Sequence, residues 1–171
     1  MSDAFEIRLA TPAEYREVGE ITVRGYVHDG YLSAADDYAE SLRDAATRAA
    51  KAQLWVAAER ADARRVLGSV TFCPLGSSYR ELAGDTEGEF RMLAVDPPAR
   101  GIGVGRALVQ HCLDLSRGCG FAAVVICSLP EMTSAHALYR AIGFTRERAL
   151  DWSPVPGVEL WGFRFPLTST G

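Results

Sequence analysis

Hydrophobic and polar residues alternate with two different periods along the chain, and each change of period marks an element boundary. From Phe5 to Ala10, apolar side chains alternate with charged ones, which predicts a half-buried strand. Similar patterns, short and rich in apolar residues, predict six further strands, at 54–59, 66–72, 89–95, 122–127, 144–150 and 158–165. The run at 122–127 is apolar throughout, as expected of a strand that is buried on both faces.

Four segments have the three-to-four-residue spacing of an amphipathic helix. The first follows Thr11-Pro12-Ala13-Glu14, a sequence typical of a helix start, and the second spans roughly Asp36 to Lys51. The third begins at Val104, and the fourth begins near Met132 and ends before Gly143. The order β-α-α-β-β-β-α-β-α-β-β predicts a mixed sheet with helices on its faces. The crossover around the third helix should be right-handed.

Composition narrows the class of protein. The 171 residues are 48% hydrophobic and 23% charged, with a net charge of −4 and no block of like charge. This balance predicts a single globular domain over residues 1–171, argues against a nucleic-acid partner and weakly favours a cationic substrate. The four cysteines lack C-x-x-C spacing and the three histidines do not cluster with them, so no metal site is expected. Neither a secretory signal nor a membrane span is predicted, which favours a cytoplasmic protein.

Three alternating glycines lie where a predicted strand passes into a predicted helix. Gly101, Gly103 and Gly105 follow Arg100 directly. Glycine lets the backbone turn sharply and approach a ligand closely. The N–H groups at a helix start also favour anions, phosphate above all. The stretch is therefore a predicted anion-binding loop.

Two familiar phosphate-binding loops are excluded on particular residues. A P-loop requires lysine followed by serine or threonine, and Arg106-Ala107 stands in that place. A dinucleotide fingerprint requires G-x-x-G spacing at its end and an acidic residue about 20 positions later. The glycines here are spaced by two, and no acidic residue lies between Asp114 and Glu131.

The remaining pattern is R-x-x-G-x-G, carried by Arg100, Gly103 and Gly105, and a second pattern, A-x-x-L-Y-x-x-x-G-F, runs from Ala135 to Phe144. In this order the two resemble the signature of the GNAT superfamily of acetyl-CoA-dependent N-acetyltransferases. The resemblance covers 89–144, about a third of the chain. It implies a mostly antiparallel, twisted α/β sheet of about seven strands, with a parallel pair around the glycine loop and four helices. It also implies transfer of acetyl from acetyl-CoA to a primary amine by direct attack in a ternary complex.

The resemblance assigns roles to individual residues. The glycine loop would hold the pyrophosphate of coenzyme A, and the strand before it would pair with the pantetheine. Tyr139 matches the tyrosine that donates a proton to the departing thiolate. An asparagine common in the family is replaced here by Met132, and Ser128, Thr133 or Ser134 would take over its contact. The cofactor residues implied are Leu93, Ala94, Val95, Arg100, Gly101, Ile102, Gly103, Val104, Gly105, Arg106 and Ser134.

An attacking amine must first lose a proton, so a general base is expected. Many family members use a glutamate on the strand before the glycine loop, and Glu89 is the candidate here, ahead of Glu87 and His28. The acceptor, a small-molecule or peptide amine, is expected near the loop between the first two helices. Aromatic residues that would line this pocket are Tyr26, Tyr31, Tyr79, Trp152 and Trp161.

Two other interpretations stay open. The chain could be an acyl-CoA-binding sensor without transferase activity, since the asparagine is missing and the base is uncertain. The aromatic last strand, with Trp161, Phe163 and Phe165, could also form a homodimer, which is compatible with enzymatic activity. Neither interpretation involves a membrane.

Overall fold

The computed structural model describes residues 3–32 and 36–167. Within them, seven strands form a sheet of order β1-β2-β3-β4-β5-β7-β6. Every neighbouring pair is antiparallel except β4 and β5, which run parallel. This confirms the predicted fold class. The strands are β1 (Phe5–Leu9), β2 (Gln53–Glu59), β3 (Val66–Phe72), β4 (Glu87–Val95), β5 (Ala123–Ser128), β6 (Thr145–Arg146) and β7 (Trp161–Pro166).

Five α-helices occur in the described residues, one more than predicted: α1 (Tyr15–His28), α2 (Asp37–Arg43), α3 (Ala45–Lys51), α4 (Val104–Gly118) and α5 (Thr133–Ile142). The extra helix arises because the segment expected to be continuous breaks at Asp44, where ψ is 64°. The Asp44 carboxylate accepts a hydrogen bond from the N–H of Thr47 at 3.1 Å and so caps α3.

The predicted strand at 144–150 is shorter than expected. β6 has two residues, and Arg148–Leu150 forms a 3-10 turn. The turn packs so closely on β7 that a Cβ at Gly162 would lie 2.3 Å from the Cβ of Leu150. Arg146 and Asp151 join the two sides of the turn through two hydrogen bonds of 2.6 Å. These contacts between distant residues end the strand.

The sheet buries apolar side chains on both faces. On β2, Leu54 and Val56 pack in a cluster with α1 and α3, whereas Trp55 and Ala57 belong to the cluster that includes α4. Alternate residues of a strand point to opposite faces, so β2 serves both layers. Inside the sheet, β7 carries Phe163, which is fully buried. The Phe163 ring therefore packs within the chain and is not exposed on the surface for a partner to contact. The predicted homodimer stays a prediction.

Candidate active site

The parallel strands β4 and β5 separate soon after they meet. They pair only from Glu87 to Glu89, opposite residues 123–125. On its other edge, β4 stays paired with β3 as far as Val95. The backbone of residues 90–95 therefore has one free edge, which faces a cleft of about 400 Å³. A cleft of this volume is typical of sites for small molecules.

A bulge in β4 lies on the wall of this cleft. Ser69 of β3 pairs with Ala94 of β4, and Thr71 pairs with Arg91. Between these two pairs β4 advances by three residues and β3 by two, so the extra residue lies on β4. Met92 takes a φ of +54°, a left-handed conformation that is unfavourable for a methionine. Its side chain is buried in the cluster beneath α1 and α2, which holds the strained backbone in place. No glycine marks this bulge in the sequence, and it changes the direction of the backbone groups at the cleft.

The glycine loop begins α4 with two left-handed residues. Gly101 has a φ of +85° and Gly103 a φ of +90°, and a Cβ on either would meet no atom within 4 Å. Gly105 has a different role. A Cβ there would lie 3.3 Å from Leu138 and 3.6 Å from Val95, so this glycine keeps α4 close to α5 and β4.

The loop presents a series of unpaired backbone donors. The Arg100 N–H donates to the carbonyl of Pro97, and the next N–H with a protein acceptor among the described residues is that of Ala107, which donates to Gly103 at 3.0 Å. The N–H groups of residues 101–106 therefore have no acceptor within the described chain. They lie at the positive end of the α4 dipole, an arrangement that suits a phosphate.

Not every predicted cofactor residue lies on the cleft wall. Those that do are Leu93, Ala94, Val95, Arg100, Gly101, Gly105 and Ser134. Arg100 is held by Asp29 at the end of α1, through hydrogen bonds of 2.7 and 3.0 Å. Ile102 is exposed, and the Val104 side chain is buried in the core. Residues 102–104 and Arg106 therefore contribute unpaired backbone N–H groups to the loop, and their side chains do not line the cleft.

Tyr139 lies on α5 with its ring against the cleft. It is 6% exposed and packs beside Phe90, Phe144 and Phe163, with ring centroids 5.7 to 6.2 Å away. Burial raises the pKa of its phenol. A phenol is protonated at neutral pH even without this shift, and the shift makes it a weaker acid.

Glu89 is 1% exposed and lies outside the cleft wall. Its carboxylate accepts hydrogen bonds of 3.1 to 3.2 Å from three successive backbone N–H groups, those of residues 81–83. These contacts tie down the loop between β3 and β4. The role of Glu89 as general base stays a prediction.

The two lesser candidates for the base are placed apart from the cleft wall as well. Glu87 forms an ion pair with Arg164 of β7 and accepts a hydrogen bond from Gly84. His28 is exposed in the last turn of α1.

Another part of the cleft wall combines aromatic and charged side chains. Tyr26 and Tyr31 line it, with ring centroids 6.4 Å apart. Arg91 also lines it, forms an ion pair of 2.7 Å with Glu81 and donates to the Tyr79 carbonyl at 3.2 Å. Partial burial raises the pKa of Glu81. Arg91 and Glu81 are not among the predicted site residues, because no local pattern in the sequence places Arg91 on the cleft wall.

Three aromatic candidates lie elsewhere, and one of them, Tyr79, has its ring centroid 5.8 Å from the Arg91 guanidinium. Trp152 forms an isolated bridge with Leu160, and Trp161 stacks on His136 with ring centroids 5.8 Å apart. None of the three lines the cleft. In the described residues, no helix is long and apolar enough to cross a membrane. The same part of the chain holds no group of three or more histidine, cysteine or acidic residues arranged for a metal.

The unpaired N–H donors at a helix start and the buried tyrosine on the cleft wall fit the resemblance to the N-acetyltransferases that the sequence carries. The model of the Acetyltransferase (GNAT) family matches residues 15–144, about three quarters of the chain. The chain belongs to this family. The family uses acetyl-CoA, and the site fits that cofactor through the free N–H groups of the glycine loop.

Curated relatives match a limited part of the chain. A mycothiol acetyltransferase of Beutenbergia cavernae is 39% identical over 71 residues, which are 42% of this chain and 24% of that protein. One from Cellulomonas flavigena is 39% identical over 84 residues, 48% of this chain and 24% of that protein. The chain thus spans about a quarter of the length of these relatives.

Solved structures resemble the whole fold. A GNAT family acetyltransferase from Staphylococcus aureus superposes with a TM-score of 0.74 at 15% identity, over 96% of this chain and 100% of that one. A GNAT family acetyltransferase from Brucella melitensis, in complex with acetyl-CoA, has a TM-score of 0.60 at 26% identity, over 84% of each chain.

Proposed function

We propose that this chain, acting as one domain over residues 1–171, transfers acetyl from acetyl-CoA directly to a primary amine in a ternary complex. The observation that carries the proposal is the cleft between β4 and β5. It joins the unpaired N–H groups of residues 101–106 at one end to Tyr139 and Arg91 on its walls. Cofactor and acceptor can therefore meet in the same space.

The backbone supplies most of the cofactor contacts. The N–H groups of residues 101–106 would hold the pyrophosphate, and the free edge of β4 at 93–95 would pair with the pantetheine amides as an added strand. When bound, acetyl-CoA supplies a thioester activated toward nucleophiles. An N–H of Leu93 or Val95, redirected by the bulge at Met92, would polarise the thioester carbonyl.

Tyr139 would donate its proton to the departing thiolate. Its place on the cleft wall supports this role, because a phenol there is protonated at neutral pH and has a proton to give. The proton of the amine needs a separate acceptor. Glu89 is the predicted base, although the four hydrogen bonds that its carboxylate accepts favour a role in positioning the 81–83 loop.

The acceptor end favours a primary amine that also bears an anionic group. The Arg91 guanidinium lines the cleft there and has donors beyond the two used for Glu81 and Tyr79. A carboxylate on the acceptor would bind to those donors. The similarity to mycothiol acetyltransferases leaves the acceptor's identity open, because the matched segment is a small part of those proteins.

The test is a CoA-release assay over matched pairs of acceptors, each an amino acid and its decarboxylated amine. We expect amine-dependent release, faster with the amino acid of each pair. Tyr139→Phe should lower kcat by roughly 100-fold, the usual contribution of a general acid, and leave the Kd for CoA unchanged by calorimetry. Tyr15→Phe, outside the cleft, is the matched control. Unchanged turnover in Tyr139→Phe refutes the proton-donor role, and CoA binding without any release favours the sensor.

A further inference from the structure

Ser128 and His136 form a hydrogen-bonded pair on the cleft wall that the proposed transfer does not use. Ser128 ends β5 and lines the cleft. Its Oγ lies 3.2 Å from Nε2 of His136, which is on the first turns of α5. The serine is 6% exposed and the histidine 3%. The serine thus faces the cleft, and the imidazole lies behind it.

The imidazole is fixed in place and suited to accept a proton. Its ring packs on Trp161 at 5.8 Å and on Phe163 at 4.9 Å. Burial lowers the pKa of His136, so the ring is neutral near pH 7, and a hydrogen bond with the backbone of Leu129 opposes this shift. A neutral imidazole carries one unprotonated nitrogen. A serine hydroxyl beside a neutral imidazole that is itself oriented is the arrangement of an activated nucleophile.

The other partners of the hydroxyl compete weakly. Ser128 Oγ lies 3.4 Å from the Leu129 carbonyl and 3.4 Å from the Met132 sulfur. Both distances exceed the distance to His136, and a thioether is a poor acceptor. Met132 stands where the family pattern has asparagine, so no side-chain amide competes for the serine.

We propose that Ser128 is a second acyl acceptor, so that the enzyme also hydrolyses acetyl-CoA through an acetyl-serine when no amine is present. The proposal rests on the proposed binding of acetyl-CoA in this cleft. Ser128 Oγ forms a bond to the thioester carbonyl carbon, the carbon–sulfur bond breaks, and the serine proton passes through His136 Nε2 to the thiolate. Water then attacks the ester carbonyl and gives its proton to His136. The carbon–Oγ bond breaks, Ser128 takes a proton from His136, and acetic acid leaves and ionises to acetate by releasing its proton to solvent.

The experiment uses the full chain with acetyl-CoA and no amine. CoA release is followed by chromatography, and the protein is analysed by intact mass and peptide mapping. We expect release above the protein-free rate, an acetyl group on Ser128, or both. In Ser128→Ala both signals should fall to background, whereas Ser128→Cys should keep an acetyl adduct, because a thiolate is also a nucleophile. Ser153→Ala, an exposed serine outside the cleft, is the control.

An acetylated Ser128 must either accumulate, which the intact mass detects, or hydrolyse, which continued CoA release detects. The two measurements together therefore cover both outcomes. Absence of both signals in the wild-type chain overturns the proposal, as does release that persists in Ser128→Ala. Calorimetric CoA binding by Ser128→Ala shows that the variant is folded. Amine-dependent release is measured on the same samples. Its failure would refute the proposed transfer alone, whereas failure of the amine-free signals would refute the serine proposal alone.

Discussion

The two ends of the cleft are built from different kinds of groups. The end proposed to bind the cofactor, called the cofactor end, consists of backbone N–H groups at 101–106 and the free edge of β4, all within one continuous stretch of chain. The acceptor end is made of side chains from separate elements, such as Tyr26 of α1 and Arg91 of β4. A site made of backbone groups depends on local conformation, which glycine positions in the sequence control. A site made of side chains depends on which distant segments the fold places next to each other.

The acceptor end also depends on buried polar contacts that support it from behind. Glu89 holds the loop that carries Glu81. Arg48, fully buried, donates to the carbonyls of Ser41 and Leu42 at 3.3 and 2.5 Å and so satisfies the end of α2. At the cofactor end, Arg100 is held by Asp29 at the surface, and the conformation of the loop that follows is set by glycine. Substitutions should therefore act differently at the two ends.

The largest expected effect is on the cofactor end. Gly103→Val should raise the Kd for CoA by roughly 100-fold, because valine disfavours the left-handed conformation and losing two charge-assisted hydrogen bonds costs on the order of 3 kcal/mol. Gly157→Val is the matched control, since Gly157 has a φ of +85° in equally open space outside the cleft. It should lower the Tm and leave CoA binding intact. Equal effects of both variants on the Kd would show that the loop conformation is not the binding determinant.

The next effect separates the two possible roles of Glu89. Glu89→Gln replaces an accepting oxygen with a donor, so it should lower the free energy of unfolding by about 2 kcal/mol, the cost of unpaired buried N–H groups. We expect the pH–rate profile to keep its shape, with Glu159→Gln on the surface as control. A variant of normal stability that loses the acidic limb of the profile would make Glu89 the base.

A smaller effect tests the acceptor end directly. Arg91→Lys should raise the KM for the acceptor about fivefold to tenfold, because a lysine cannot bridge Glu81, the Tyr79 carbonyl and a ligand as a planar guanidinium does. The Kd for CoA should not change. Arg117→Lys, which alters an exposed ion pair on α4, should change neither constant. An equal rise in the KM for the acceptor and in the Kd for CoA would mean that Arg91 does not act on acceptor binding alone.

The smallest effect concerns the unexpected break between α2 and α3. Asp44→Ala removes the cap of α3 and should lower the free energy of unfolding by about 0.5–1 kcal/mol, without changing the Kd for CoA. Hydrogen bonds with Thr47 lower the pKa of Asp44 in the folded state. The stabilisation is therefore present above the unfolded pKa and disappears as the pH falls through the folded pKa. In urea unfolding, the free energies of unfolding of the wild type and of Asp44→Ala should become equal at acidic pH. Asp85→Ala, at an exposed loop residue, should have the wild-type free energy of unfolding at every pH.

The sequence by itself determined the class of fold and the conformation of the glycine loop that is proposed to hold the cofactor. Strand and helix periods, glycine spacing and the A-x-x-L-Y pattern are local properties, and backbone conformation follows from them within a few residues. Gly101 and Gly103 do take the left-handed conformations for which glycine is suited. The parallel crossover between β4 and β5 followed from the order of the elements.

Only the tertiary structure decided the rest. The bulge at Met92 depends on burial of its side chain beneath α1 and α2, which no local pattern indicates. The hydrogen bonds to Glu89 depend on how the 81–83 loop folds back. The pair formed by Ser128 and His136 depends on the packing of α5 beside β5. Each of these contacts joins residues of different strands, helices or loops, so it exists only once those elements have packed together.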